Sequence, residues 1–70
     1  MSESVEVRVN GEPVHMTKGS SVIALLDRLG VSRARVAVER NRAILPRKDY
    51  GSTALEEGDV LEVVELVGGG

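Results

Sequence analysis

A single amphipathic segment constrains the fold of this chain most strongly. Apolar side chains recur there at the spacing of one helix face, at Val22, Leu25, Leu26 and Leu29. Ser21 precedes the segment and can cap the free amides of a first helical turn. Gly30 follows it and suits the left-handed conformation in which helices often end. A helix of about nine residues is not stable alone in water, so we expect it to pack on a sheet.

Strand patterns precede that helix. Residues 5–9 alternate between valine and polar side chains, the period of a strand with one buried face. Asn10-Gly11 follows and predicts a tight hairpin turn, because both residue types tolerate a positive φ. Residues 14–17 then form the return strand. Pro13 places that strand at a sheet edge, because proline cannot donate a ladder hydrogen bond.

Three further strand patterns follow the helix. Residues 35–39 and 43–45 predict a third strand and a short fourth strand, with a turn at Asn41 between them. Residues 49–55 have no clear period and are expected to be irregular. Residues 60–67 are the longest run with β propensity, and we place this final strand beside the first one at the centre of the sheet. Strands around one helix predict an α+β fold with the helix on one sheet face.

Length and composition limit the classes of protein to which the chain can belong. Its 70 residues make one domain at most, and 41% hydrophobic with 29% charged residues is a globular composition. Nine basic and eleven acidic residues are nearly balanced, which does not favour nucleic-acid binding. Residues 1–9 lack the apolar run of a signal peptide, and no stretch reaches the ~20 apolar residues of a membrane span. We therefore expect no membrane association and a cytoplasmic location.

The chain offers little for catalysis or for metal binding. Cysteine is absent, which excludes a disulfide, a cysteine-based zinc site and a thiol nucleophile. His15 is the only histidine and is better explained as a strand-surface residue. No nucleophile and base stand in a recognisable arrangement, so we expect a protein that is not an enzyme and binds no metal. Five acidic residues cluster near the chain end: Glu56, Glu57, Asp59, Glu62 and Glu65. We expect them to form a solvated face, and the alternative is that they steer a basic partner surface.

The final strand carries an unusual exposed face. Glu62 should point to water, and Val64 and Leu66 share its parity, so these two apolar side chains should be exposed as well. An exposed apolar pair beside a chain end is a candidate site for partner docking. The alternative is that isolated apolar side chains are common on protein surfaces.

Three glycines follow that strand, Gly68, Gly69 and Gly70. We expect a folded domain over residues 1–67 and a flexible tail over 68–70, because glycine has no Cβ and few conformational limits. Three extended residues reach roughly 10 Å, enough to carry the carboxylate of Gly70 into a narrow channel. A carboxylate reacts with a nucleophile only after activation, for example as a mixed anhydride with a nucleotide. The alternative is a frayed chain end.

Several motifs together resemble a known family. Residues 35–47, RVAVERNRAILPR, resemble the strand-turn-strand signature of the thiamine-biosynthesis sulfur carriers, the ThiS family. Tyr50 matches an aromatic residue that follows this signature, residues 57–59 match an acidic-Gly-Asp turn, and residues 67–70 match the family ending. The resemblance covers essentially the whole chain and implies a ubiquitin-like β-grasp fold. The chain departs from many members at Arg42, where they have glycine after the turn asparagine.

The resemblance also implies a chemical role for the tail. A partner adenylyltransferase of the ubiquitin-activating type would use ATP and Mg²⁺ to adenylate the Gly70 carboxylate. Sulfur relayed from a cysteine desulfurase would displace AMP and leave a thiocarboxylate on Gly70. Thiazole synthase would then take that sulfur into the thiazole of thiamine. The chain itself would bind no cofactor.

Two other classes of function stay open at this point. Sulfur carriers of the same fold serve other pathways, such as molybdopterin synthesis, cysteine synthesis and tRNA thiolation. The molybdopterin-synthase small subunit is usually longer and has prolines before its Gly-Gly, where this chain has Leu66 and Val67. The second class is a β-grasp interaction module without covalent chemistry, for which the glycines would be incidental.

Overall fold

A computed structural model describes residues 3–66 of the chain. The elements in chain order are strands β1 (Ser4–Val9) and β2 (Glu12–Thr17), helix α1 (Val22–Leu29), and strands β3 (Val36–Arg40), β4 (Ala43–Leu45) and β5 (Val60–Glu65). Two short 3₁₀ turns, Arg33–Arg35 and Arg47–Asp49, precede β3 and follow β4. The predicted boundary between a domain and a tail at residues 67 and 68 lies outside the described residues.

The five strands form one mixed sheet in the order β2-β1-β5-β3-β4. β5 runs parallel to β1 and antiparallel to β3, while β1 with β2 and β3 with β4 pair antiparallel. The prediction that the first and last strands lie side by side at the centre is confirmed. β2 is an edge strand, as Pro13 predicted, and the Asn10-Gly11 turn joins it to β1.

Helix α1 has the predicted cap and stop. The Ser21 hydroxyl accepts a hydrogen bond from the Ala24 amide at 3.2 Å, and Gly30 ends the helix with a φ of 75°. The helix has eight residues rather than about nine. On the predicted apolar face, Val22, Leu25 and Leu26 are buried, whereas Leu29 is 39% exposed. Leu29 borders an open groove together with Val14, Val31 and Val63, which leaves part of its side chain uncovered.

The core lies between the helix and one face of the sheet. It contains valines of β1, β3 and β5, three helix residues, and residues of the segment after β4. Its members are Val5, Val7, Val9, Met16, Val22, Leu25, Leu26, Val36, Val38, Tyr50, Leu55, Leu61 and Val63. Of the segment 49–55 that was predicted to be irregular, Asp49 belongs to a 3₁₀ turn, and the rest is irregular but delivers Tyr50 and Leu55 into this core. The Tyr50 hydroxyl donates to the Val36 carbonyl at 3.4 Å.

Most predicted strands differ from the observed ones at an end: β1 begins at Ser4, β2 begins at Glu12, and β3 ends at Arg40. Two other shifts have a clear local cause. β3 begins at Val36 rather than at Arg35, because Arg33–Arg35 form a 3₁₀ turn whose Ala34 amide bonds the Ser32 hydroxyl. β5 ends at Glu65. The amide of the next residue, Leu66, donates to the carbonyl of Arg35, the residue before β3, at 2.7 Å. The observed fold is nevertheless the expected α+β arrangement. Over residues 3–66, no helix has the length and apolarity needed to cross a bilayer.

Candidate docking face of the sheet

The side of the sheet opposite the helix carries exposed apolar side chains. On β5, Leu61 and Val63 point into the core, so Val60, Glu62 and Val64 point outward. Val64 is 56% exposed, and Leu66, just after the strand, is 48% exposed. The exposure that alternation predicted for Glu62, Val64 and Leu66 is therefore observed. Their role in docking is not tested by this geometry and stays a prediction.

Neighbouring strands enlarge this surface in a way that the sequence pattern did not show. Ala37 of β3 lies opposite Val64, and Glu39 lies opposite both Glu62 of β5 and Ile44 of β4. Ile44 is 77% exposed, the highest value among the large apolar side chains described. We call the following set the docking face: Ala37, Glu39, Ile44, Glu62, Val64 and Leu66. Two carboxylates thus stand between apolar side chains on one open surface.

Asn10 holds the second half of β5 in place. Its φ is 51°, as the hairpin turn requires, and its backbone amide donates to the Leu61 carbonyl at 2.9 Å. Its side chain then pairs with the next position along β5. The Nδ2 atom donates to the Val63 carbonyl at 3.0 Å, and the Val63 amide donates to Oδ1 at 2.8 Å. The sequence predicted Asn10 only as a turn residue.

Asn41 makes a similar contact at the start of β5, from the other side. Its φ is 53°, its amide donates to the Val60 carbonyl at 2.7 Å, and its Oδ1 accepts from the Val60 amide at 2.9 Å. Asn41 Nδ2 also donates to Asp59 Oδ1 at 3.1 Å. Turn asparagines therefore fix β5 on both of its edges. Arg42 follows with a φ of 71°, a conformation that glycine adopts more easily.

Asp59 is part of this support rather than of the surface. It is buried, and its Oδ2 accepts from Arg40 Nε at 3.0 Å and from the Glu56 amide at 2.9 Å. Burial opposes ionisation and is the largest influence on the pKa of Asp59. The hydrogen bonds from Glu56, Asn41 and Arg40, together with the Arg40 charge, outweigh it and hold that pKa below its usual value.

The prediction of a five-residue solvated acidic face is therefore wrong at Asp59. The other four acidic side chains are exposed, as predicted, but they do not share one face. Glu57 accepts a hydrogen bond from the Glu6 amide at 2.9 Å, while Glu62 lies on the docking face and Glu65 lies on the helix side of β5. Burial of one carboxylate in a turn depends on tertiary contacts, which sequence composition does not reveal.

Two further predictions concern the surface and the tail. His15 lies exposed on β2, with Nε2 3.2 Å from Glu6 Oε1, which agrees with a strand-surface role. Across residues 3–66, no three His, Cys, Asp or Glu side chains are grouped so that they could hold a metal ion. Gly68, Gly69 and Gly70 lie outside the described residues, so their proposed roles remain predictions. In the sequence they follow the docking face directly, two positions after Leu66.

The arrangement of the five strands and the helix defines the fold class of this protein. A mixed five-stranded sheet with β5 between β1 and β3, and one helix across a single face, is the ubiquitin-like β-grasp fold. The crystal structure of the thiamine biosynthesis protein (ThiS) from Geobacter metallireducens has this fold. It superimposes with a TM-score of 0.78 and 33% identity, covering 94% of this chain and 100% of that one.

Sequence comparisons identify the family. The ThiS family profile matches residues 7–70. The sulfur carrier protein ThiS of Bacillus subtilis is 35% identical over 65 residues, which cover 91% of this chain and 98% of the relative. The chain belongs to the ThiS family.

Other relatives are much longer than this chain. The thiazole synthase of Magnetococcus marinus is 42% identical over 66 residues, which cover 94% of this chain and 20% of the relative. The chain thus spans about a fifth of the length of the thiazole synthases that it matches.

Proposed function

We propose that this protein carries sulfur as a thiocarboxylate on Gly70 and donates it to thiazole formation. The Gly70 carboxylate attacks the α-phosphorus of ATP, pyrophosphate leaves, and an acyl adenylate forms. The terminal sulfur of a persulfide supplied by a cysteine desulfurase then attacks the carbonyl carbon, and AMP departs with one former carboxylate oxygen. A thiol reductant cleaves the S–S bond of the resulting acyl disulfide, which releases the thiocarboxylate and leaves a disulfide on the donor side. Adenylation is needed because AMP leaves far more readily than oxide would. The catalytic groups, ATP and Mg²⁺ belong to the partner enzymes, so the chain acts as a co-substrate rather than as an enzyme.

One observation carries this proposal more than any other. The match to the ThiS family runs through residue 70 and therefore includes the glycines at 68–70. The docking face supports it independently, because Val64 and Leu66 are exposed immediately before those glycines. A partner that covers this face would have Gly68 and Gly69 at its surface, ready to pass through a narrow channel. Apolar contact area of this kind is typical of the central part of protein interfaces.

The proposed partners are an adenylyltransferase of the ubiquitin-activating type and thiazole synthase. Relatives named thiazole synthase contain a stretch similar to nearly the whole of this chain. Two units that are joined in one polypeptide in some proteins often act together when they are separate. This supports thiazole synthase as the acceptor of the sulfur, in preference to molybdopterin, cysteine or tRNA thiolation pathways. Because the chemistry consumes ATP, we place the carrier in the cytoplasm.

The decisive experiment is reconstitution followed by intact-mass measurement. The untagged protein is incubated with ATP, Mg²⁺, the adenylyltransferase and a sulfur donor. Exchange of one oxygen for sulfur, localised to Gly70 by fragmentation, is the expected result. The matched control lacks Gly69 and Gly70 and should fold normally without being modified. An unchanged mass in the complete reaction, with a partner shown to be active on another carrier, would overturn the proposal.

The docking face also supports a second candidate function, that of a non-covalent interaction module. Such a module would use the same apolar surface but would not need the glycines. Deletion of Gly69 and Gly70 would then leave both partner affinity and growth without thiamine unaffected. On the carrier proposal, the same deletion leaves the fold intact and causes a requirement for thiamine.

A further inference from the structure

A groove of about 400 Å³ opens on the helix side of the sheet, away from the docking face. We call it the hairpin groove, because the turn between β1 and β2 forms one of its walls. Its apolar floor consists of Val9, Val14, Leu29, Val31 and Val63. Leu29 is the helix residue that the core leaves partly exposed. The groove therefore exposes apolar surface that packing within the described chain does not cover.

One wall of the hairpin groove is an unpaired strand edge. β1 pairs with β5 only at Arg8 with Val60 and at Val9 with Leu61, and the Asn10 side chain provides the last partner at Val63. Successive residues of a strand direct their backbone N–H and C=O groups to opposite edges. Those of Glu65 therefore point to the same side of β5 as those of Val63. No strand of residues 3–66 lies beside Glu65 on that side. An open edge of this kind can pair with an added strand.

Two carboxylates stand at the mouth of the hairpin groove. The row of β2 residues on the helix side runs Met16, Val14 and Glu12, while the corresponding row of β5 runs Leu61, Val63 and Glu65. Both rows end in glutamate at the same end of the sheet, and both glutamates line the groove. Within residues 3–66, neither carboxylate lies within 4.0 Å of a basic group.

We propose that the hairpin groove binds an extended segment of a partner protein that carries a basic residue and an aliphatic residue two positions apart. Residues two apart in a strand share one face, so the basic side chain would reach Glu12 and Glu65 while the aliphatic one contacts Leu29 and Val31. The backbone of the segment would pair with Glu65. A second copy of this chain fits poorly, because a symmetric pairing of edges would bring the same two carboxylates together.

This groove is separate from the docking face and does not depend on sulfur chemistry. The two surfaces lie on opposite sides of the sheet but share β5 as a wall. One partner could therefore hold the groove while another covers Val64 and Leu66. The inference is independent of the proposed function, and either one can fail alone.

A synthetic strand tests the proposal directly. The probe is the fluorescent peptide Thr-Val-Thr-Lys-Thr-Val-Thr, and the control peptide has Glu in place of Lys. Titration into isotope-labelled protein should shift the amide resonances of Asn10, Val31 and Glu65, and the lysine peptide should bind more tightly. The proposal would be overturned if the shifted amide resonances were those of Val60 and Val64, or if both peptides bound equally well. It would also be overturned if no resonance shifted at millimolar peptide. Shifts at Glu65 that grow with protein concentration alone would indicate self-association and would also overturn it.

Charge-reversal variants give a matched comparison. The double variant Glu12→Lys with Glu65→Lys should weaken binding of the lysine peptide by about tenfold and favour the glutamate peptide. The double variant Glu39→Lys with Glu62→Lys makes the same change in net charge on the docking face and should leave peptide affinity unchanged. Equal loss in both variants would mean that overall charge, rather than the groove, controls binding. Thermal unfolding of each variant confirms that the exposed substitutions preserve the fold.

Discussion

The side-chain amide of Asn10 takes the place of a peptide group opposite Val63. It donates to the Val63 carbonyl at 3.0 Å and accepts from the Val63 amide at 2.8 Å, so β1 is lengthened by a side chain after its backbone has turned away. These are contacts between residues 53 positions apart in the sequence. They keep the strand that precedes the glycines attached to the rest of the sheet.

Removal of that amide should loosen the end of β5. The substitution Asn10→Gly keeps the positive φ of the turn but removes both hydrogen bonds to Val63, and we expect a loss of about 1–2 kcal/mol in unfolding free energy. Urea unfolding measures this loss, and hydrogen exchange at the Val63 amide should accelerate more than exchange at Val38. Unchanged exchange at Val63 would show that the side-chain contacts do not secure the strand.

Asp59 should make stability depend on acid pH. Because its pKa is lower in the folded protein, the unfolded chain binds more protons between the folded and unfolded values. The contribution of Asp59 to the free energy of unfolding is therefore complete above the unfolded pKa. It is lost as the pH drops below about 4 and passes through the lower pKa of the folded state. Asp59→Asn should be less stable than the natural chain at pH 7, and its thermal midpoint should change less on acidification. An equal acid response in the two proteins would contradict this assignment.

Ile44 and Val64 should contribute to partner docking without contributing to the core. Either Ile44→Glu or Val64→Asp should weaken binding to the adenylyltransferase by about tenfold or more, because a buried interface would have to accept an unpaired charge. Thr17→Asp, at the far edge of the same sheet face, is the control. Calorimetric unfolding should remain cooperative in each variant. Loss of the unfolding transition would mean that the substituted residue packs in the core.

Tyr50 should matter for its ring far more than for its hydroxyl. The ring is buried, whereas the hydroxyl makes one long hydrogen bond of 3.4 Å to Val36. We expect Tyr50→Phe to cost about 1 kcal/mol or less. Truncation by Tyr50→Ala should cost about 3–5 kcal/mol, as for other large core side chains. Chemical denaturation of the two variants compares these values, and similar losses in both would indicate that the hydroxyl is the main contributor.

Local signals made the fold predictable. The Ser21 cap, the Gly30 stop and the Asn10-Gly11 turn act through residues close in sequence, so helix α1 and the hairpin could be predicted from those residues. Parity along β5 likewise predicted that Val64 would be exposed. The β propensity of the final strand placed it beside the first one at the centre of the sheet, and the fold implied by the family resemblance agreed with that placement.

The remaining features depend on contacts that are distant in sequence. Ile44 joins the docking face only because Glu39 lies between it and Glu62, and this requires the register of three strands. Asp59 is buried where Arg40, the last residue of β3, and Asn41, in the turn between β3 and β4, donate hydrogen bonds to its carboxylate. Leu29 is partly exposed where it borders the open hairpin groove with Val14 and Val63. No period or motif in the sequence encodes these relationships.

The central position of β5 has a consequence for how the protein is made. Proteins are synthesised from the N-terminus, and among the strands of residues 3–66 β5 is made after the other four, although it lies between β1 and β3 in the sheet. A nascent chain that stops before Val60 leaves the two flanking strands with no strand between them. Completion of the sheet must therefore wait until translation has passed residue 65. On the proposed function, a partner that binds the folded sheet would therefore bind only chains in which β5 has already been made.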